Sequence, residues 1–345
     1  MNRYWTLARG PLSGLPTPAN FELRTAPVPA PGPGQALSRT IYVSLDPYQW
    51  GYRKRGVEKP GEVCHARTVS QVIESRMEGF AAGDLVFNVN GWAEYGLMGE
   101  GIERPSYMIP RKLDPARGRI SLAVGVLGML GLTAYAGMTL QCAPKVGDTA
   151  VVTAASGGVG QIAGQLARIA GARVVGVAGR EDKVRYAVEE LGFDACVSHL
   201  SPRLAADLAA ACPGGIDVYF ENVGGAVFEA AAPLFNRGAR LSLCGLIAQY
   251  GDDSDPDPKA AFLRRHEPLF QAKGMKVSDL FVGAFVAEHQ GPFLEEMSAL
   301  VAAGRVKYRE DIRQGIETIP AAFAELMGGG NFGKILVQVG ADPTL

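Results

Sequence analysis

Thr153-Ala154-Ala155-Ser156-Gly157-Gly158-Val159-Gly160 is the stretch whose reading decides the fold. It closes a β-branched run expected as a strand over Thr149 to Ala154. It then opens an alanine-rich run expected as a helix over Val159 to Ala170. A glycine motif points to a dinucleotide only in that strand–turn–helix setting. Gly157 and Gly158 let the backbone approach a pyrophosphate closely, and Gly160 lets the helix pack tightly on the strand. The helix start offers unbonded N–H groups and the positive end of its dipole to phosphates. The full G-x-G-x-x-G pattern is not met, because Ala155 holds the first glycine position. A purely structural turn is the alternative.

Outward from this loop, strands and helices alternate. Strands are expected over Arg173 to Ala178, Ala195 to Ser198, Ile216 to Phe220 and Ala239 to Cys244. Helices are expected over Glu181 to Leu191, from about Pro202, and over Ala226 to Leu234. Such alternation builds a parallel sheet covered by helices, so the fold class is α/β with a Rossmann doubly wound sheet. The first third has a different character. Ala36 to Val43, Thr68 to Glu74 and Asp84 to Val89 are short β-prone runs between Pro- and Gly-rich turns. The tail carries expected helices over Gly291 to Ala303 and Pro320 to Met327, and a final strand over Lys334 to Val339. Asp252 to Pro258 is expected as a polar loop.

The bulk numbers narrow the function. The chain has 345 residues, enough for two domains. Its 34 basic and 35 acidic residues leave a net charge of −1, which argues against a broad phosphate-binding face and hence against nucleic acid. Met1 to Arg9 has no signal-peptide character. Ile120 to Leu140, the longest apolar stretch, is broken by glycines 125, 128, 131 and 137 and is expected as a buried helix, not a membrane span. The 5 cysteines are scattered, without a CxxC, as expected for reduced thiols in a cytoplasmic protein.

The second strand of the alternating region ends Val177-Ala178-Gly179-Arg180, with no carboxylate at its tip to hold a ribose 2′-hydroxyl. Arg180 and Lys183 follow and suit a 2′-phosphate, so NADPH is expected over NADH. The alternative is that both are solvated helix residues. Glu181 and Asp182 are assigned to the helix start.

At this point a set of motifs matches a family in order. Gly128-Met129-Leu130-Gly131-Leu132-Thr133-Ala134-Tyr135, the glycine loop, Ala178 to Lys183, Leu191 to Asp194, Glu221 to Gly225, Cys244 to Tyr250 and Gly330 to Lys334 follow one another. Asn2 to Trp5, Pro18 to Phe21 and Ser44 to Tyr48 supply its opening. Together they resemble the leukotriene B4 dehydrogenase/prostaglandin reductase branch of the medium-chain dehydrogenase/reductase superfamily, which includes double-bond reductases and curcumin-reductase-like enzymes. The resemblance implies a GroES-like catalytic domain over residues 1–122, completed by the tail 308–345, and a Rossmann NADP-binding domain over 123–307. It implies NADPH-dependent reduction of the double bond of α,β-unsaturated ketones or aldehydes, and a homodimer. By the same resemblance Thr133, Ser156, Gly157, Gly158, Val159, Gly179, Arg180, Lys183, His199, Asn222, Cys244, Gly245, Ile247, Tyr250 and Asn331 contact the cofactor, with His199 where the family has a tyrosine. Asp46-Pro47-Tyr48 is followed by Gln49-Trp50 in place of the family's Met-Arg, so Trp50 is expected to make the substrate mouth more aromatic.

The chemistry expected is simple. Hydride reaches the β-carbon of an enone, and charge builds on the carbonyl oxygen. Tyr250, or the nicotinamide ribose hydroxyl, stabilises it and helps return a proton. Tyr48 and Tyr52 are the second candidates. Trp50, Tyr52, Tyr250, Phe281 and Phe285 are expected to line the substrate site, the phenylalanines being core residues otherwise. No metal is expected: Cys64-His65 is the only Cys/His pair, and adjacent residues on an extended chain point apart. Ser156 has no acid–base partner in sequence and is assigned to phosphate contact. A quinone reductase on the same fold and a non-catalytic NADPH-binding protein remain the alternatives.

Overall fold

The structure is a computed structural model and describes residues 1–255 and 257–345. The chain forms two compact units. One is Met1–Gly128 with Glu310–Asn331 and Ile335–Leu345; the other is Met129–Arg309 with Phe332–Lys334. The first cut falls after Gly128 rather than after residue 122. The reason is local: Ile120–Val124 forms a 3-10 turn whose Ile120, Ala123 and Val124 pack with Ile41, Tyr42, Val69, Phe87 and Leu336 in the core of the first unit.

The first unit opens with an antiparallel ladder of β1 (Asn2–Leu7) and β2 (Phe21–Ala26), neither of which was expected. β3 (Gln35–Ser44) leads to a short helix, α1 (Tyr48–Lys54). β4 (Thr68–Ser75), β5 (Leu85–Asn88), β6 (Tyr95–Gly99) and β7 (Arg111–Lys112) follow. β3, β4, β5 and β7 pair in that order, and β6 pairs with β3. Two buried features pin this unit. The guanidinium of Arg53 bonds Glu58 at 2.7 Å and lies 4.3 Å over Trp92, with Phe21 and Phe323 alongside. Asn88 and Asn90 tie Ser38, Thr40, Thr68 and Ser70 into one buried polar network. Buried polar groups of this kind hold register because each would cost energy if left unbonded.

The second unit begins with α2 (Met129–Ala134), continued as a π-helix over Tyr135–Cys142. The single helix expected over Ile120 to Leu140 is therefore three pieces. Gly125 and Gly128 break it, and Gly137 leaves room for Phe220, Ser242 and Leu280, whose atoms would stand 2.6 to 2.8 Å from a Cβ there. Next come β8 (Thr149–Thr153), α3 (Gly160–Ile169), β9 (Arg173–Ala178), α4 (Glu181–Glu189), β10 (Ala195–Ser198) and α5 (Leu204–Ala211). β11 (Ile216–Glu221), α6 (Gly225–Ala231), β12 (Phe235–Leu243), α7 (Pro258–Lys273), β13 (Lys276–Asp279) and α8 (Gly283–Ala302) complete it. The sheet runs β10-β9-β8-β11-β12-β13, all parallel, so strand order reverses between β8 and β11. Ligands bind at such a switch point, outside the carboxyl ends of the strands. Of the polar loop expected over Asp252 to Pro258, Pro256 lies outside the described residues; Asp257 caps α7 through the N–H of Ala260.

The tail adds β14 (Glu310–Gln314), α9 (Ile319–Met327) and β15 (Lys334–Gln338), which extend the antiparallel sheet in the order β14-β15-β3. No helix among the described residues is long and apolar enough to cross a membrane. All 5 cysteines are free; Cys64, Cys142 and Cys212 are buried, Cys196 and Cys244 half-buried.

Candidate functional site

The glycine loop lies between β8 and α3, at the reversal of strand order. Ala154 takes a left-handed backbone, φ 49°, which is costly for a residue with a Cβ. Its carbonyl accepts the N–H of Gly157, closing the turn. A Cβ on Gly160 would stand 2.2 Å from the oxygen of Ala154, and one on Gly158 2.5 Å from Leu130. At Gly160, where the close atom is backbone, only glycine fits. Phe332–Lys334 crosses the loop: Gly333 forms a parallel bridge with Gly157, and the buried side chain of Lys334 lies against Gly158. This cradle of closely folded backbone fits a pyrophosphate.

The end of β9 is arranged for a second charged group. Lys183, in the first turn of α4, is only 6% exposed despite its charge. His199, exposed overall, covers Gly179, its Nε2 3.3 Å from where a Cβ would sit. Burial, and then the charge of Lys183, lower the imidazole below its usual range. Arg180 is paired with Asp182 through two hydrogen bonds of 3.2 and 3.1 Å. Asp182 also accepts the N–H of Lys183.

The ends of β8 and β11 are stitched together. The Asn222 amide donates to the Thr153 carbonyl at 2.7 Å, and its N–H donates to the Thr153 hydroxyl. Beside it Glu221 is fully buried and accepts from Thr153, Val223 and Gly224. Burial raises its carboxyl against the pull of those donors. The N–H groups of Cys244 and Gly245 go to the Glu221 carbonyl, and that of Ile247 to Asn222. The carbonyls of Leu246 and Ile247 accept in turn from Gln249 and Tyr250. Half-buried Tyr250 follows, its hydroxyl 3.9 Å from the Cβ position of Gly245. Thr133 turns its hydroxyl back onto Met129 O at 2.6 Å. Phe281 is exposed after β13, and Phe285 stacks near His289 on α8.

Tyr48, Trp50, Tyr52 and Asn331 belong to the first unit. Trp50 corrects the sequence reading. It is fully buried, and its indole N–H donates to Gly14 O at 2.8 Å. Helix α1 turns it inward as a core residue, so it lines no mouth. Tyr48 and Tyr52 stand on the same helix with ring centroids 5.1 Å apart, and the ring of His65 lies 5.9 Å from each. The Tyr48 hydroxyl is 2.9 Å from His65 Nε2. Arg67, buried and paired with Asp46 at 2.8 Å, lies under the Tyr48 ring.

The family model described as N-terminal domain of oxidoreductase matches residues 3–103, and that described as zinc-binding dehydrogenase matches residues 158–298. The chain is 41% identical to the NADPH-dependent curcumin reductase of Escherichia coli (strain K12), over 99% of its own length and 98% of that protein. The chain belongs to the medium-chain dehydrogenase/reductase superfamily. Within the superfamily it falls in the leukotriene B4 dehydrogenase/prostaglandin reductase branch. It is 34% identical to prostaglandin reductase 1 of Rattus norvegicus over 97% of its length and 98% of that protein. Its fold matches the crystal structure of CurA in complex with NADPH from Vibrio vulnificus with a TM-score of 0.86 and 40% identity, covering 99% of this chain and 100% of that one.

Two features of this medium-chain reductase escaped the sequence. Glu221 had no signal, since a carboxylate ending a strand reads as exposed until its three donors are seen. His65 was weighed only as half of a metal pair with Cys64. Among the described residues no three His, Cys, Asp or Glu side chains converge on a point.

Proposed function

We propose that this enzyme reduces the carbon–carbon double bond of α,β-unsaturated ketones and aldehydes with NADPH and without a metal. The coarser statement is plain: it is an NADPH-dependent oxidoreductase acting on carbon–carbon double bonds. When bound, NADPH supplies the hydride. On this reading Ser156 to Val159 hold the pyrophosphate, and Lys183, Arg180 and His199 hold the 2′-phosphate. Thr133, Asn222, Asn331 and Cys244 contact the cofactor, and the Gly245–Ile247 backbone faces the nicotinamide amide.

The observation that supports an enone is the phenol of Tyr250 beside Gly245, at the carboxyl end of the sheet. An isolated alkene gives arriving hydride no place to put its charge, whereas an enone moves it to an oxygen that a phenol can bond. One such donor is worth ~3 kcal/mol in related chemistry. A proton then returns to the α-carbon, so enone, NADPH and one proton give saturated ketone and NADP+. Tyr48 and Tyr52 are the further hydroxyls assigned to substrate; Phe281 and Phe285 are assigned to its apolar part. We place the enzyme in the cytoplasm as a homodimer.

The test is loss of reduced-cofactor absorbance on methyl vinyl ketone and but-2-enal, with chelator present, followed by product analysis. Formation of the saturated carbonyl with NADPH, and far less with NADH, is expected. Turnover of quinones alone, to hydroquinones, would overturn the substrate class.

A further inference from the structure

His65 is held in place by its backbone. Its N–H donates to Glu58 at 2.7 Å and its carbonyl accepts from Arg53 at 3.4 Å. Cys64 beside it bonds Trp5 and Trp92 through the main chain. The backbone is thus fixed without the imidazole, whose ring stands among two tyrosines and two arginines. Its Nε2 lies within hydrogen-bond reach of the Tyr48 hydroxyl. The charged groups that face it are Arg67 and Arg53, which disfavour a proton, and Asp46, which favours one. Burial above all, and then the two arginines, hold the ring neutral down to about 4. Tyr52, packed on both rings, also bonds Tyr107.

A neutral imidazole can either accept or donate at Nε2, depending on its tautomer. A lysine in this position would only donate, and a carboxylate would only accept. We propose that His65 is a positioning residue for double-bond reduction: with the proton on Nε2 it donates to the Tyr48 oxygen and turns the phenol proton outward, toward the substrate oxygen. The proposal rests on the reading of Tyr48 as a substrate-side hydroxyl. In the other tautomer the phenol donates to the imidazole instead. Binding of a carbonyl selects the first arrangement, because only then does the phenol bond the substrate. The two tautomers carry the same charge, so the switch leaves the Arg67–Asp46 pair undisturbed.

The test is kcat and KM for methyl vinyl ketone in the wild type, His65→Ala, His65→Gln, Tyr48→Phe and the double variant His65→Ala/Tyr48→Phe, with melting temperatures to confirm folding. His65→Ala is expected to lower kcat about tenfold with KM changed less than about twofold, the scale of one well-placed hydrogen bond. His65→Gln, whose amide can donate to the phenol, should recover most of that loss. In the Tyr48→Phe background the His65 substitution should have no further effect. The same tenfold loss in both backgrounds, or none in either, would overturn the proposal. Normal kcat in Tyr48→Phe would also overturn it while leaving enone reduction intact; failure of the wild type on every enone would instead remove the substrate reading.

Discussion

Lys183 has given up water for a buried place near His199. A lysine accepts that cost most readily where an anion repays it. Lys183→Ala is expected to weaken NADPH binding about tenfold to hundredfold and to leave NADH unchanged, the size of a hydrogen bond to a charged group. Titration of cofactor fluorescence would show this, and equal losses for both cofactors would contradict it. His65 carries a pH signature of its own. Unfolded, its ring titrates near 6.5; folded, burial and then Arg67 and Arg53 bring it to about 4. The unfolded chain therefore takes a proton that the folded chain refuses. Above pH 6.5 the group is neutral to stability; as pH falls toward 4 it costs up to ~3 kcal/mol. Urea unfolding at neutral and mildly acidic pH should show the wild type losing more on acidification than His65→Gln.

At the scale of elements, α3 shows how closely the dinucleotide loop is built. A Cβ on Gly164 would lie 2.0 Å from the ring of Phe193. Overpacking of this kind costs ~1–3 kcal/mol or more. Gly164→Ala should lower the melting temperature by several degrees and displace α3 from β9; an unchanged melting curve would mean that the ring swings aside freely. The βα alternation around this helix was legible because apolar runs with glycine between them have few other solutions. β1 and β2 were not, since Asn2–Leu7 and Phe21–Ala26 alternate poorly and gain their ladder from each other, with isolated bridges from Tyr4 to Ala93 and from Thr6 to Val63. α7 was hidden by Pro268 inside it and by the acidic run before it, and only Phe262 and Phe270 of its residues are buried. The cofactor loop was legible for the same local reason. Trp50 was misread because its burial depends on Gly14, far away in sequence, and position alone says nothing of which way α1 turns it.

At the scale of the whole molecule, the six-stranded sheet ends on β10 and β13, two four-residue strands. Exposed sheet edges are a hazard that proteins cover or pair. A homodimer joining such edges is the expected assembly, and sedimentation at micromolar concentration should return the mass of two chains; a single-chain mass would contradict it.

The cysteines acquire a meaning from the substrates proposed for the enzyme. Unsaturated carbonyls are Michael acceptors that alkylate thiolates, and only the thiolate attacks. Burial pushes Cys64, Cys142 and Cys196 up to about 12 and Cys212 and Cys244 to about 11. On the proposed function the enzyme thus offers its own substrates almost no thiolate, and thiol reagents should label it slowly until it is unfolded. Such a protein would outlast the poison it clears.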